Sequence, residues 1–210
     1  WNGNLEGRDF VTPEEIRANP YQKKMVKEEK RTRKGIVFKE VENKQWMVAR
    51  HDGSWTRMDK AFKRAEGLLE NWMKEHHDKD CYPPTIINIT DGEYNGTSYD
   101  EMQQLANQLK SMFTNDGNVL LFNIHVVPEH AESVVFPATA DELNGNGYGK
   151  KLYEMSSLLP LNYNEQIRNI FGDKQADIRY HAMGVNTGME RLVKMMKIGT
   201  LSRMLANQNP

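Results

Sequence analysis

The sequence predicts a doubly wound α/β fold, a mostly parallel sheet flanked by helices in three layers, with a β-hairpin insertion. Two near-continuous apolar runs, TIINIT at 85–90 and NVLLFNIHVV at 118–127, read as strands buried on both faces. Between them Ser98-Tyr99-Asp100-Glu101 forms a capping box opening a segment with Met102, Leu105, Ala106, Leu109, Met112 and Phe113 on one face. Strand, helix and strand within about forty residues make a parallel βαβ unit. The pattern recurs at IRYHAM, read as a last strand, which leads through Gly184 to a second capping box, Thr187-Gly188-Met189-Glu190. The helix it opens is expected to turn Met189, Leu192, Val193, Met196 and Thr200 inward.

Composition narrows the functional classes. With 210 residues, 38% hydrophobic and 27% charged, the chain can bury a real core. Its 28 Lys and Arg against 29 Asp and Glu give a formal net charge of -1, so no overall field recruits nucleic acid or an anionic membrane, and neither is expected as a partner. The single cysteine, Cys81, forms no internal disulfide and suits a reducing compartment. No run approaches the eighteen or so apolar residues of a spanning helix. The chain begins at Trp1 rather than Met, which suggests a fragment, a processed product or one piece of a split chain.

Near the N-terminus, Thr12-Pro13-Glu14-Glu15 starts a short helix, with Thr12 as N-cap and Pro13 at the first helical position; Pro20 ends it near Ala18. Residues 22–34, QKKMVKEEKRTRK, are a charge run read as a solvated arm, since no aromatic residues interleave it for base stacking. GIVFKEV and KQWMVA are read as a surface hairpin turning at Asn43. After the polar loop HDGSWTR, the residues Met58, Phe62, Ala65, Leu69, Trp72 and Met73 mark an amphipathic helix for which Thr56 stands as N-cap. His76, His77 and Cys81 lack zinc-like spacing. Gly145, Gly147 and Gly149 lack the strand and spacing of a dinucleotide fingerprint. Tyr148, Leu152, Met155 and Leu159 make a helix closed by Pro160, and residues 164–171 add a short one.

The strand TIINIT ends in Asp91-Gly92-Glu93. In open α/β sheets the C-terminal ends of strands are where ligands bind, so Asp91 is placed to hold a cation; ordinary turn chemistry explains the same residues equally. His125, near the end of the second strand, is read as a satisfied buried side chain.

Several motifs together resemble the von Willebrand factor type A (VWA) family, in its stand-alone bacterial group. That group has a D-G-x-T-P-M loop opening a helix, a strand ending in I-T-D-G-E, and an I-G-T tail. Here these read Asp52-Gly53-Ser54-Trp55-Thr56-Arg57-Met58, Ile89-Thr90-Asp91-Gly92-Glu93 and Ile198-Gly199-Thr200, and the opening WNGNLEGRDFV and the strand NVLLFNIHV are also similar. The first loop has one extra residue, and Arg57 where Pro is usual. The resemblance implies a metal-ion-dependent adhesion site (MIDAS) in which Thr56 and Asp91 bind the metal and Glu93, His51 and Ser54 shape the rim. The remaining motif, D-x-S-x-S, occurs nowhere in the chain, so the resemblance implies that the first strand is missing and that 1–210 is a partial VWA domain, with an arm and hairpin at 22–50 and an α/β core at 51–205. The implied cofactor is Mg²⁺, or Mn²⁺ or Ca²⁺ in its place, dependent on that missing motif. The implied function is a cytoplasmic adaptor binding a protein partner's carboxylate through the ion, with a segment or chain supplying the missing strand. Two other classes compete: a metal-free scaffold in a larger assembly, and a Mg²⁺-dependent phosphoryl-transfer or hydrolytic enzyme using Asp91 and Glu93. The chain lacks a phosphate-cradling glycine loop, a nucleophile elbow and a complete triad, and it is expected not to be an enzyme.

Overall fold

A computed structural model describes residues 2–33, 35–48, 55–76, 79–127, 132–143, 147–172 and 174–199. The chain divides into two compact units, Trp1–Ser54 and Trp55–Pro210.

In the first unit the Thr12 hydroxyl accepts from the Glu15 amide while the Glu15 carboxylate accepts from the Thr12 amide, so α1 (Pro13–Ala18) starts on a complete capping box. It ends where Pro20 requires. Trp46 Nε1 donates to Ile16 O at 2.6 Å, and Asn2 and Val48 exchange two hydrogen bonds. The hairpin is longer than expected and turns elsewhere. β1 (Gln22–Thr32) pairs antiparallel with β2 (Gly35–Gln45), so Asn43 lies mid-strand opposite Lys24, and the reversal falls between Thr32 and Gly35, whose φ is +120°. The charge run is therefore a strand. Both faces of this ribbon meet water, so β1 needs no apolar alternation to form; opposite charges sit in register instead, Lys27 against Glu40 and Glu28 against Lys39.

The second unit is α/β, a four-stranded, mostly parallel sheet flanked by helices. In order it contains α2 (Met58–His76), β3 (Thr85–Thr90), α3 (Tyr99–Ser111), a small ladder of β4 (Phe113–Thr114) with β5 (Gly117–Asn118), β6 (Leu120–His125), β7 (Val134–Val135), α4 (Gly147–Met155), α5 (Asn164–Phe171), β8 (Met183–Val185) and α6 (Met189–Gly199). The strand order is β3-β6-β8-β7; β3, β6 and β8 run parallel, and β7 is an antiparallel edge. One core packs α2, α3 and α4 on one face through Met58, Phe62, Met102, Leu109, Leu121 and Leu152. The other packs α5 and α6 on the opposite face through Phe122, Phe136, Ile167, Met195 and Ile198.

Several expectations are corrected here. β6 is buried throughout, whereas β3 is an outer strand that pairs, among the described residues, with β6 alone, and Ile89 is 56% exposed. The helices on Ile89's side cover β6 and β8 and stop short of it. The last strand begins at Met183, later than IRYHAM implies, because His181 makes only an isolated bridge to Leu158. Phe113 belongs to β4 and is 71% exposed. α4 ends at Met155, and Leu159 is buried from the loop beyond it. α6 is rotated from the expected face: Met195 and Ile198 are fully buried, while Met189, Val193 and Met196 are exposed and Thr200 lies outside the described residues. Apolar residues surround this helix, so their spacing does not fix its phase. The close approach of Met195 to Gly184, where a Cβ would lie 2.9 Å from the Met195 sulfur, does. Its capping box is absent too, since the Gly188 carbonyl accepts the first helical bond and the Thr187 hydroxyl is buried without a partner.

Candidate functional site

Thr56 and Asp91 come from different loops of the second unit, and one backbone bond joins those loops: Asn95 N donates to Thr56 O at 2.8 Å. Helix α2 begins at Met58, and the Arg57 carbonyl accepts its first bond from Ala61, so Arg57, not Thr56, is the N-cap. Thr56 and Asp91 are both exposed. His51 and Ser54 lie outside the described residues.

The Asp91 turn is fixed by side chains rather than by the sheet ladder. Thr90 Oγ1 accepts from the Gly92 amide at 3.0 Å, and Asp91 Oδ1 accepts from the Glu93 amide at 3.1 Å, an Asx turn. The side chain of Glu93 is exposed. Gly92 has φ +86°, and a Cβ there would sit 2.7 Å from Tyr148 Cβ and 3.1 Å from His125 Nε2, so only glycine passes.

Beside this turn, the Arg57 guanidinium grips Asp59 through Nε at 2.8 Å and a second nitrogen at 2.7 Å, and lies against Gly96. The bond from Arg57 holds the Asp59 carboxyl down at about 2. A polar groove of about 570 Å³ runs between α2 and α3, lined by Arg57, Lys63, Thr97, Glu101, Gln104 and Gln108, and includes neither Thr56 nor Asp91. On the other side, Lys151 Nζ lies 5.4 Å from the Tyr148 ring and 5.8 Å from the Tyr99 ring, and Tyr99 donates a short hydrogen bond to Glu154. Burial, then this bond to Glu154, raises the Tyr99 phenol well above its usual range, so it stays a donor.

Beneath the site the two parallel strands carry a polar network that the apolar runs conceal. Asn88 Nδ2 donates to Asn123 Oδ1 at 2.8 Å, and Asn123 Nδ2 donates to Leu152 O at 3.1 Å and Ser156 Oγ at 3.0 Å. The in-register pairing of Asn88 with Asn123 is the signal that could have revealed it.

The donor set present here consists of hard oxygens, the Thr56 hydroxyl and the Asp91 carboxylate, which fits Mg²⁺ better than a soft metal; an octahedral ion takes more oxygens than these two groups supply. Among the described residues no group of three or more His, Cys, Asp or Glu could hold a metal ion. Nor is any described helix long and apolar enough to cross a membrane. No protein-family model, curated protein or solved structure matches the chain.

Proposed function

We propose that this chain is a VWA domain of the stand-alone bacterial type, and that it works as a metal-dependent protein-interaction module rather than an enzyme. The observation that carries the reading is the stitching of the Thr56 loop to the Asp91 loop by the Asn95–Thr56 bond. Those loops carry the two residues the resemblance selects, and Asp91 follows the C-terminal end of a parallel strand, where α/β sheets bind ligands.

Thr56 Oγ1 and Asp91 Oδ2 hold Mg²⁺, or Mn²⁺ or Ca²⁺ in its place, with the D-x-S-x-S oxygens added by a segment or partner chain. The ion supplies positive charge and an open coordination position for a carboxylate of a protein partner. Asp91 balances charge with its Oδ1 held by the Glu93 amide, and Glu93 shapes the rim; His51 and Ser54, which the resemblance also implies for the rim, lie outside the described residues. The side of β3 that has no strand partner among the described residues, with Ile89 exposed, supports the further part of the reading, that an added strand joins this edge. The setting is cytoplasmic, consistent with one free cysteine, Cys81.

The test is water-proton relaxation of the full natural chain with bound Mn²⁺. Acetate, and then a short Asp-bearing peptide, should displace water from the ion and lower the relaxation enhancement, and EDTA, which takes the ion from the protein, should abolish it. Enhancement unaffected by either carboxylate would defeat the bridging role, and steady turnover of a phosphoester substrate would establish the enzyme class instead.

A further inference from the structure

His125 closes β6 directly beside the Asp91 turn and is 1% exposed. Its Nε2 lies 2.9 Å from Asp91 O, and its Nδ1 is buried without a partner. A carbonyl oxygen only accepts, so Nε2 carries the proton and the ring is the Nε2–H tautomer. An unsatisfied buried ring nitrogen is costly, and an aliphatic or phenyl side chain would fill the same space without that penalty. Among the described residues, the polar contact its side chain makes is with the carbonyl of Asp91. In the ladder, β6 already answers β3 through Val126 N donating to Thr90 O at 2.8 Å, so the bond to Asp91 O extends the grip one residue past the sheet.

We infer that His125 is a positioning residue: with Tyr148 it clamps the Asp91-Gly92-Glu93 turn from below, and so sets where the Asp91 carboxylate points. Gly92 admits the clamp because its missing Cβ leaves room for both Tyr148 and His125. This inference rests on the proposed metal role of Asp91 for its consequence, but not for its geometry. A residue that holds a ligand's backbone acts on the metal as outer-shell partners do, by fixing orientation.

The experiment has three arms on the full natural chain. In the wild type, long-range ¹⁵N–¹H correlation of the imidazole should show a proton on Nε2 of His125; a proton on Nδ1 with bare Nε2 overturns the inference and needs no variant. Amide hydrogen exchange then compares wild type, His125→Leu and His125→Gln, the last of which can donate from its own side-chain amide. In His125→Leu, exchange at Gly92 and Glu93 should rise about tenfold with the β6 amides still protected, and His125→Gln should restore it. Equal exchange at those two amides in all three proteins defeats the claim. Mg²⁺ titration of the same set should show roughly a tenfold loss in His125→Leu and recovery in His125→Gln. If wild type binds no Mg²⁺, the metal reading falls, while the tautomer and exchange arms still decide the positioning role.

Discussion

The amide of Asn95 reaches the carbonyl of Thr56 across 2.8 Å and ties the loop that opens α2 to the turn that leaves β3. Because this is a backbone bond, the Thr56 side chain can be removed without cutting it. Thr56→Ala is therefore expected to change stability by no more than about 0.5 kcal/mol, as exposed substitutions usually do. Mg²⁺ affinity should nevertheless fall by roughly tenfold, the equivalent of about 1.4 kcal/mol. Urea unfolding and calorimetric titration of the same sample separate the two.

Gly92 should tolerate no side chain. A Cβ at φ +86° would lie 2.7 Å from Tyr148 Cβ, which is fixed close to the helical backbone and cannot swing away. Left-handed strain and the clash together should cost Gly92→Ala about 2–4 kcal/mol. Equilibrium urea unfolding reads the shift in midpoint. Gly96, also left-handed at φ +77°, faces the Arg57 side chain instead, which can move, so Gly96→Ala should cost less.

The buried amide network predicts a large penalty for a nearly isosteric change. Asn123→Leu removes the acceptor for Asn88 and the donor to Leu152 O and Ser156 Oγ in a site with no solvent. Leu152 O keeps its bonds from Ser156 N and Ser156 Oγ, so the half-buried Asn88 amide is the group that loses its partner, and a loss of about 1–3 kcal/mol is expected by thermal or chemical denaturation. A double change of Asn88 and Asn123 to apolar residues should cost less than the sum of the two single changes.

Acid should weaken the second unit through His181. Its ring lies 3.8 Å from the Tyr153 ring, its Nδ1 is buried and unpartnered, and burial, helped by the Lys110 ammonium, pulls its pKa down to about 4. Lys110 is itself buried enough for its own pKa to fall, and it donates to Ser156 O. The folded state thus favours neutral His181. Its contribution is complete above the unfolded value near 6.5 and is lost as pH falls from there toward 4, so stability should drop by roughly 2–3 kcal/mol across that window. His181→Phe should flatten that part of the pH profile. Asp59, held at about 2 by Arg57, adds a separate loss only below pH 4.

Much of the frame was legible because it depends on local chemistry. Thr12 and Ser98 with Glu15 and Glu101 complete their capping boxes, and α5 spans the expected 164–171. Parallel pairing of β3 with β6 followed from two apolar runs joined by one helix. What failed depended on neighbours. TIINIT reads as doubly buried, yet Ile89 is exposed because burial of an outer strand is set by what lies beside it. Met189, Val193 and Met196 are as apolar as Met195 and Ile198, and only the Gly184 contact decides which set turns inward. The charged strand β1 carries no periodicity because neither of its faces is buried. At the site, the motif singled out Thr56 and Asp91, but His125 had no local signal: its role appears only when the register places it opposite Thr90, next to the turn.

The most direct test of the central claim is calorimetric titration of Mg²⁺ into the full natural chain and into Asp91→Ala, with thermal melting of both as the folding control. Asp91 is exposed, so the variant should melt within a few degrees of wild type, corresponding to about 1 kcal/mol or less. The account predicts saturable binding near one ion per chain in wild type and none in Asp91→Ala. Equal binding by the two proteins, or no saturable binding by wild type, would contradict it.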